Sequence, residues 1–481
     1  MMFPIKGTIS DIGGGEAWGA EKLRAEISRR AAEFAVQGLG RGDRFMILHG
    51  GTPAFFADLF AVWSIGGVAA CLNPNSAKEE VVRVSEFVGA KAVCVAGGGE
   101  APADLGLPVF DGASAAAASP PSAPLGNLLD DAALILFTSG TTGEPKGVVH
   151  TFRSLLSRLA LNVTYIGEEA LQRTLCTLPT HFGHGLIGNC LSAIYAGGDL
   201  SLLPAGNLKL VGRLGEIVDE RGIRFMSSVP SFWKMALKLS KRPSGGSLRR
   251  INIGSAPLSA DLWQAVIDWT GDADVANMYG ITETANWICG ARSSEFEPED
   301  GLIGRMWGGS IGVLTEEGER ATHGHGELIV QSPSLMHGYF QRADLNEAAL
   351  FAGWYRTGDV GEVTKDGVAR LTGRRKYEIN RAGLKVHPED IDLLLERHEG
   401  VREACAFGLP DEIAGETVGV AVSVVDPEAF DLAELKRWCA ERLAREKTPQ
   451  RWFVLAEIPK TDRGKINRDT VAAAALASEA S

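Results

Sequence analysis

The stretch TSGTTGEPKG, from Thr138 to Gly147, carries the strongest indication of the fold of this chain. It follows an apolar segment, Ala132 to Phe137, and combines four hydroxyl side chains, three glycines and one lysine. Glycines let a backbone curl until several N–H groups converge on one point, and hydroxyls add further donors. Lys146 adds a point charge suited to a phosphate. Because Pro145 stands where a Walker A motif has glycine, the run predicts a triphosphate loop of another type.

Four further motifs follow this loop along the chain. They are NMYGITET (Asn277 to Thr284), YRTGD (Tyr355 to Asp359), GRRKYEINRAGLKV (Gly373 to Val386) and PKTDRGKINR (Pro459 to Arg468). In order and separation, the five motifs together resemble those of the acyl-adenylate-forming superfamily. That superfamily includes acyl-CoA synthetases, luciferases and the adenylation domains of peptide synthetases. The resemblance covers the chain from about Phe45 to its end and is closest to the acyl-CoA ligases.

Composition sets the broad class of protein. A chain of 481 residues is too long for one ordinary core, so two or more domains are expected. Hydrophobic residues at 45% and charged residues at 22% are typical of a soluble globular protein, and a net charge of −12 argues against a general nucleic-acid surface. Seven scattered cysteines without a CxxC pair, and an N-terminus without a signal pattern, favour a reducing cytoplasm. No membrane span is expected, because the apolar stretch Leu186 to Ala196 is too short.

Strands and helices alternate in the first part of the chain. The pattern predicts helices at Ala17 to Gln37, Pro53 to Ser64, Glu79 to Val88 and Phe152 to Leu161, and strands at Arg44 to Leu48, Val68 to Leu72, Ala90 to Val95, Arg224 to Val229 and Arg250 to Ile253. Such alternation predicts an α/β fold with parallel or mixed sheets flanked by helices. Residues 97–126 are rich in Ala, Pro, Gly and Ser, and are interpreted as a flexible excursion.

The pattern changes after Tyr355. A strand–turn–strand is predicted at Gly361 to Leu371. It is followed by helices at Pro388 to His398 and Leu432 to Arg445, and by strands at Glu403 to Gly408, Val418 to Val425 and Arg451 to Leu455. We therefore predict a large ATP- and acyl-binding domain, residues 1–375. A small, mobile α+β domain on a hinge, residues 376–481, is predicted to carry the catalytic lysine.

Adenylation joins a carboxylate to the α-phosphate of ATP and expels pyrophosphate, so the site needs cations, donors and a metal. Tyr279 can lie flat against adenine, Asp359 suits the ribose hydroxyls, and Arg374 can donate to the ribose or a phosphate. The resemblance implies that the nucleotide is bound by Thr138, Ser139, Gly140, Thr141, Thr142, Gly143, Lys146, Gly254, Ser255, Ala256, Tyr279, Gly280, Asp359 and Arg374.

Three residues are predicted to be catalytic. Thr282 is placed to donate to the α-phosphate, and Glu283 is a hard oxygen ligand suited to Mg²⁺. Lys465 resembles the family's catalytic lysine, which contacts the substrate carboxylate and the phosphate. The resemblance also implies that Lys376 is a hinge residue and that Gly383 lines a thiol tunnel after the small domain rotates.

The acyl pocket is predicted beside the run LPTHFGHG, which begins at Leu178. Amino-acid-activating relatives carry Asp where this chain has Gly183, so an α-amino acid substrate is disfavoured, because its ammonium would be buried unpaired. Trp287 suggests a bounded pocket for a small, aromatic or medium-length acid. The candidate pocket residues are His181, Phe182, Gly183, Asn189, Asn286 and Trp287. The resemblance places Phe182 at an aromatic gate, and Asn189, Asn286 and Trp287 of the pocket wall could equally be structural.

A second glycine pattern lies in the same region. Residues 183–188, GHGLIG, satisfy GxGxxG and would allow a dinucleotide-binding interpretation. That interpretation explains none of the other motifs, and Pro179 interrupts the strand-to-turn junction that it requires. His181 and His184 have no third ligand at metal-binding spacing.

Three functions are compatible with these residues. The first is an acyl-CoA synthetase that uses ATP, Mg²⁺ and CoA to convert a small-molecule carboxylic acid into an acyl-CoA through acyl-AMP. The second is a stand-alone adenylation enzyme that loads a carrier-protein phosphopantetheine or an amine. The third is a non-catalytic nucleotide-binding relative, which the presence of Lys146, Glu283, Asp359 and Lys465 disfavours.

Overall fold

The computed structural model describes residues 5–113, 129–138, 146–204, 206–381, 384–411, 414–445, 447–461 and 465–479. The chain forms two compact units. The first contains Met1–Pro298, Ile303–Ser310 and Gln331–Tyr355, and the second contains Glu299–Leu302, Ile311–Val330 and Arg356–Ser481. The division into domains at residues 375 and 376 stays a prediction.

The strands of the described residues are β1 (Ile9–Asp11), β2 (Ala17–Trp18), β3 (Arg44–Ile47), β4 (Val68–Cys71), β5 (Ala92–Cys94), β6 (Val109–Phe110), β7 (Ala132–Thr138), β8 (Lys146–Thr151), β9 (Arg173–Cys176), β10 (Asp199–Leu202), β11 (Phe225–Ser228), β12 (Arg250–Gly254), β13 (Asp274–Ile281), β14 (Asn286–Arg292), β15 (Leu302–Met306), β16 (Ser310–Leu314), β17 (Arg320–Ala321), β18 (Gly324–Gln331), β19 (Gly338–Tyr339), β20 (Leu350–Phe351), β21 (Trp354–Val363), β22 (Val368–Arg374), β23 (Ile379–Arg381), β24 (Leu384–Val386), β25 (Val401–Asp411), β26 (Gly415–Val424) and β27 (Arg451–Val454).

The α-helices are α1 (Ala20–Val36), α2 (Pro53–Ser64), α3 (Lys78–Val88), α4 (Phe152–Ile166), α5 (Glu168–Leu171), α6 (Ser192–Tyr195), α7 (Leu208–Gly212), α8 (Leu214–Arg221), α9 (Pro230–Leu239), α10 (Ala260–Thr270), α11 (Ala343–Ala349), α12 (Pro388–Leu395), α13 (Leu432–Ala440) and α14 (Arg468–Glu479). A π-helix spans His184–Leu191, and 3₁₀ turns span Ala103–Leu105, Thr282–Thr284 and Arg375–Tyr377.

The first unit contains two sheets with parallel centres. One has the order β19-β8-β7-β4-β3-β5-β6, in which β7, β4, β3, β5 and β6 are parallel neighbours. In the other, β10, β9, β11, β12 and β13 are parallel neighbours, with β14 antiparallel to β13. Strands such as β4 are apolar and buried throughout, as expected where helices cover both faces of a parallel sheet.

The helices of the first unit bury their apolar faces in a core shared with both sheets. Phe56 and Phe60 of α2 and Leu155 and Leu159 of α4 belong to one cluster with residues of β3 and β10. Helix α2 starts where the side chain of Thr52 accepts a hydrogen bond from the N–H of Phe55, with proline at the first helical position. This architecture confirms the predicted α/β fold class.

The second unit has its own sheet and core. Strand β26 pairs antiparallel with β23 and β25 and parallel with β27. Alternate residues of β25 and β26 pack with Ile391 and Leu395 of α12 and with Leu435 of α13. The predicted small α+β portion at the C-terminal end of the chain is therefore present.

Several sequence predictions differ from the structure. Ala17 and Trp18 form β2, paired with Ile9 and Ser10, and the helix starts only at Ala20, because Trp18 is buried against β1. The helix predicted to reach Arg445 ends at Ala440. The C-terminal helix α14 was not predicted. Of residues 97–126, those described contain a 3₁₀ turn and β6, and residues 114–128 lie outside the described part.

Candidate active site

The two ends of the predicted phosphate loop lie side by side. Strands β7 and β8 are antiparallel, and Thr138 is the register partner of Lys146. The two residues that flank the loop therefore lie at the same end of the β7–β8 pair. Five predicted nucleotide-binding residues, Ser139, Gly140, Thr141, Thr142 and Gly143, lie outside the described residues.

Lys146 lies next to Glu283 at this end of the β7–β8 pair. Its Nζ lies 3.5 Å from Glu283 Oε1 and 4.0 Å from the centre of the Tyr339 ring. The hydroxyl of Tyr339 donates to Glu283 Oε1 at 2.8 Å, and the oxygen of Tyr355 lies 2.8 Å from that of Tyr339. Because the Tyr339 hydroxyl uses its proton in the hydrogen bond to Glu283 Oε1, it must accept from Tyr355, whose hydroxyl is therefore the donor of that pair. Burial and the nearby Glu283 carboxylate raise the pKa of both tyrosines, so both remain protonated donors.

The Thr282–Thr284 turn that carries Glu283 is held at three successive carbonyls. His150 Nε2 contacts the oxygen of Thr282 at 2.8 Å, and the N–H of Met336 donates to that of Glu283 at 2.7 Å. The hydroxyl of Ser334 donates to the oxygen of Thr284 at 3.0 Å. The next residue, Ala285, has φ +63°, a left-handed conformation that costs a non-glycine residue about 1–2 kcal/mol. The surrounding bonds hold this strained turn in place.

His150 acts as a neutral donor beneath the turn. Burial lowers its pKa to about 4, although the Thr282 carbonyl and the Glu283 carboxylate favour the charged form. A neutral imidazole that contacts a carbonyl through Nε2 carries its proton there. Nδ1, which lies 3.3 Å from the Ser154 hydroxyl, is then the acceptor.

Glu283 suits a magnesium ion by its chemistry. Oε1 is engaged by Tyr339 and Lys146, whereas Oε2 accepts no hydrogen bond from the part of the chain that the structure describes. Mg²⁺ in nucleotide sites takes one or two carboxylates and completes its shell with waters and phosphate oxygens. Within the same described residues no cluster of three His, Cys, Asp or Glu could hold a metal by itself, so Glu283 would hold the ion together with a nucleotide.

The predicted adenine-binding residues lie where β12 and β13 end. Tyr279 is buried on β13, next to a register shift between Tyr279 and Gly280. A Cβ at Gly280 would lie 2.4 Å from the Asn286 oxygen and 2.5 Å from the Trp287 Cα. The absence of a side chain at Gly280 is therefore required for packing against β14, in addition to any role beside a base. The same strand ends carry four further predicted site residues, Thr282, Gly254, Ser255 and Ala256.

In the second unit, Asp359 and Arg374 are register partners on β21 and β22, and Arg374 Nε lies 2.8 Å from Asp359 Oδ1. The structure thus brings the two predicted ribose-binding residues together. The buried Glu327 carboxylate supports this segment by accepting from Arg356 at 2.6 Å and from Arg375 at 2.8 Å.

Lys465 lies in the second unit, shortly before α14. Its backbone pairs with that of Thr461, and its side chain is exposed. Asn467 caps α14 by accepting from the N–H groups of residues 469 and 470. Lys376, the predicted hinge residue, contacts Asp469 Oδ2 through Nζ at 2.8 Å. Gly383 lies outside the described residues.

His184 contacts one of the candidate acyl-pocket residues, Trp287, together with two serines. Its Nδ1 lies 2.8 Å from Ser255 Oγ, its Nε2 contacts Ser227 Oγ, and its ring packs edge-on against Trp287 at 5.0 Å. The GxGxxG run that contains His184 lies within the π-helix rather than in a phosphate loop. This placement agrees with the rejection of a dinucleotide site.

Asn286 and Trp287 close the space next to Gly188 on the π-helix. A Cβ at Gly188 would lie 1.6 Å from Asn286 Nδ2 and 3.0 Å from Trp287 Cη2. Asn286 Nδ2 and Trp287 Nε1 are buried without a hydrogen-bond partner among the described residues. Asn189 is fully buried and donates through Nδ2 to the Leu175 oxygen, a contact that ties the π-helix to β9.

His181, Phe182 and Gly183 precede the π-helix. The rings of His181 and Phe182 form an edge-on pair at 5.3 Å, with His181 partly exposed and Phe182 buried. A Cβ at Gly183 would meet its nearest atom, Leu136 Cδ1, at 3.5 Å, an ordinary contact distance. Gly183 therefore leaves room where a larger side chain would project.

Sequence reasoning missed four residues of this site. His150, Tyr339 and Tyr355 lie around Glu283 and its turn, and His184 was part of the predicted acyl-pocket loop without a role of its own. No local pattern identifies Tyr339, because it reaches Glu283 across 56 residues of sequence. Side chains alternate between the two faces of a strand, so His150, four residues after Lys146 on β8, lies on the same face as that lysine. This alternation could have identified His150.

Family comparison defines the class of protein. Residues 6–340 match the family model described as AMP-binding enzyme, and residues 390–465 match that of the AMP-binding enzyme C-terminal domain. The chain belongs to the AMP-binding enzyme family, and specifically to its acyl-CoA ligases, which form an acyl-adenylate from ATP. The predicted family is therefore confirmed.

Individual relatives are similar along nearly the whole chain. An oxalate–CoA ligase from Arabidopsis thaliana is 30% identical over 476 residues, covering 93% of this chain and 91% of the relative. A sulfoacetate–CoA ligase from Cupriavidus necator is 32% identical over 363 residues, covering 74% and 68%. The solved structure of ATP-bound MatB from Rhodopseudomonas palustris superposes with a TM-score of 0.88 at 25% identity, covering 98% of this chain and 96% of that one.

Among the helices described here, none is long and apolar enough to cross a membrane.

Proposed function

We propose that this protein is an AMP-forming acid–CoA ligase for a small to medium-length carboxylic acid. In the first step a carboxylate oxygen bonds to the α-phosphorus of ATP, the bond to the bridging oxygen breaks, and pyrophosphate leaves. In the second step the sulfur of CoA attacks the acyl carbon, AMP leaves with the former carboxylate oxygen, and the thiol proton is released.

The observation that carries the proposal is the meeting of Lys146 and Glu283 at the end of the phosphate loop. They are 137 residues apart in sequence, and their charged atoms lie 3.5 Å apart. A cation beside a carboxylate that has one open oxygen is suited to a phosphate chain that carries a metal. Mg²⁺, when bound, would supply positive charge next to phosphate oxygens. Lys146 would bind the departing phosphates, and Thr282 would donate to the α-phosphate.

The size of the acid is inferred from the predicted pocket. Trp287 and Asn286 fill the space at Gly188, which supports a bounded pocket rather than one for a long chain. No carboxylate replaces Gly183 to pair with a substrate ammonium, which argues against an α-amino acid. Two of the relatives are named for oxalate and sulfoacetate, which are short acids.

Acid-dependent exchange of pyrophosphate into ATP tests the first step. With a panel of short, aromatic and medium-length acids, we expect exchange for at least one of them. Lys465→Ala should lower the exchange rate by about 10²–10³-fold, because one preorganised cation is lost at the reacting groups. ATP binding should persist. Exchange at the wild-type rate in this variant, measured beside the exposed-lysine control Lys436→Ala, would contradict the role of Lys465.

The acceptor is tested separately. The adenylate is formed first, and CoA, a pantetheinylated carrier protein or an amine is then added. We expect CoA to accelerate AMP release and to yield an acyl-CoA thioester. Release that responds to the carrier protein or the amine but not to CoA would identify a stand-alone adenylation enzyme instead.

A further inference from the structure

Arg158 of α4 is a buried cation with no carboxylate partner among the described residues. It is fully buried, and no ion pair joins it to an Asp or Glu of the described residues. Its Nε donates to Ser334 Oγ at 3.1 Å, and its Nη2 donates to Ser334 Oγ at 2.5 Å and to Ser332 Oγ at 3.1 Å. Burial lowers its pKa to about 9, so it remains protonated at neutral pH. Burying a charge is costly unless it is paired and hydrogen-bonded, and among the described residues Arg158 has the hydrogen bonds without a paired carboxylate.

The guanidinium sets the direction of the two serine hydroxyls. An arginine has donors only, so Ser332 and Ser334 must both accept from it. The two hydroxyls also lie 2.9 Å apart, and their own protons have carbonyl acceptors at Thr284, 3.0 Å from Ser334 Oγ, and at Gly308, 3.1 Å from Ser332 Oγ. A charged donor also strengthens the next hydrogen bond in such a chain.

This chain of hydrogen bonds ends one residue from Glu283. The Thr284 carbonyl is the last of the three that hold the Thr282–Thr284 turn, and the left-handed Ala285 follows it. Without the Ser334 donor the Thr284 carbonyl would lose this partner, and the strained turn could relax. Relaxation would displace the Thr282 hydroxyl and the Glu283 carboxylate together.

We propose that Arg158, acting through Ser334, is a positioning residue that holds Thr282 and Glu283 in the geometry required for adenylation. It touches neither nucleotide nor acid. The inference rests on the proposed function for the roles of Thr282 and Glu283. It adds a residue from α4 that no motif of the sequence contains.

The variants that test the proposal are Ser334→Ala and Arg158→Met. Ser334→Ala removes the hydroxyl with little change of volume, so it remains informative if Arg158→Met does not fold. We expect each folded variant to bind Mn²⁺ about 10–100-fold more weakly in the presence of ATP, measured by electron paramagnetic resonance. The kcat of pyrophosphate exchange should fall by a similar factor, with the KM of the acid unchanged. Transfer from preformed acyl-AMP to CoA should fall less, because pyrophosphate has left by that step and only the α-phosphate remains for Thr282.

Two controls separate positioning from general destabilisation. Arg250→Met removes another buried arginine of the same unit, which stands at the start of β12 and pairs with Asp274 at the start of β13. Ser240→Ala removes a buried hydroxyl whose hydrogen bonds within the described residues go only to backbone, at residues 215 and 241. Both should lower stability without changing Mn²⁺ affinity. The proposal is overturned if Ser334→Ala binds Mn²⁺ and exchanges pyrophosphate as the wild type does, or if the controls show the same losses.

Measurements on the wild-type protein distinguish a failure of this inference from a failure of the proposed function. If it exchanges no pyrophosphate with any acid but binds Mn²⁺ with ATP, the proposed function fails, while the Mn²⁺ measurements on the variants still decide the role of Arg158. If it does exchange pyrophosphate and the variants match it, only the role of Arg158 fails.

Discussion

The two carboxylate oxygens of Glu283 have different surroundings. Oε1 accepts from Tyr339 and lies near Lys146, whereas Oε2 has no hydrogen-bond partner among the residues described. A carboxylate fixed through one oxygen keeps its other oxygen in a defined direction, which is what a metal ligand needs. The tyrosine hydroxyl therefore belongs to the machinery that orients Glu283.

Tyr339→Phe tests this orientation. Loss of the donor should lower the free energy of unfolding by about 1.5–3 kcal/mol, the usual contribution of a hydrogen bond to a charged group. It should also reduce the adenylation rate by about 10–100-fold. Tyr355→Phe is the matched control, because its hydroxyl contacts Tyr339 rather than Glu283. Equal losses of adenylation in the two variants would argue against a specific role for Tyr339.

At the scale of elements, the shape of the site comes from irregular backbone where regular elements end. The register of β13 and β14 shifts at Tyr279 and Gly280, and the 3₁₀ turn with the left-handed Ala285 follows within five residues. The π-helix lies against the same strand β14, with Gly188 facing Asn286 and Trp287. These close approaches leave no room for an added methyl group.

Gly280→Ala should therefore destabilise the protein by about 1–3 kcal/mol, because the new methyl overlaps the β14 backbone. Urea unfolding at equilibrium measures the change. Gly183→Ala is the control, since its Cβ would have only ordinary contacts. If the two variants unfold at the same urea concentration, the packing argument for Gly280 is wrong.

At the scale of the whole molecule, each compact unit has its own buried charged network. In the second unit, burial would raise the pKa of Glu327, but hydrogen bonds from Arg356 and Arg375 outweigh it and hold that pKa below its ordinary 4.5. A carboxyl with a depressed folded-state pKa contributes stability above its unfolded pKa. That contribution is lost as pH falls through the folded value.

Glu327→Gln should therefore cost stability at pH 7 and progressively less below about pH 4.5. Chemical unfolding of the wild type and the variant between pH 7 and pH 3 gives the difference between their free energies of unfolding at each pH. Glu362→Gln, on an exposed position of β21, controls for the general effect of acid. A wild-type-to-variant difference that stays constant with pH would show that the Glu327 charge is not responsible.

Much of the fold could be predicted from local sequence. The helix Pro53–Ser64 was predicted with its observed bounds, and β3 and β12 within one residue, because periodicity, capping residues and proline act locally. Helix α14 was missed since its alanine-rich sequence shows no clear apolar face until Val471 and Ala475 are packed in the core. Trp18 was misassigned because its strand exists only by pairing with β1.

The sequence by itself determined the family and predicted the position of a phosphate loop and the residue types for adenylation, because short motifs encode backbone shape and charge locally. Tertiary structure alone decided that Tyr339 fixes Glu283, that His150 and Ser334 hold the neighbouring carbonyls, and that Arg158 lies beneath them unpaired by any described carboxylate. These contacts join residues from 50 to 176 positions apart. Their geometry depends on how sheets and helices pack, which no local pattern specifies.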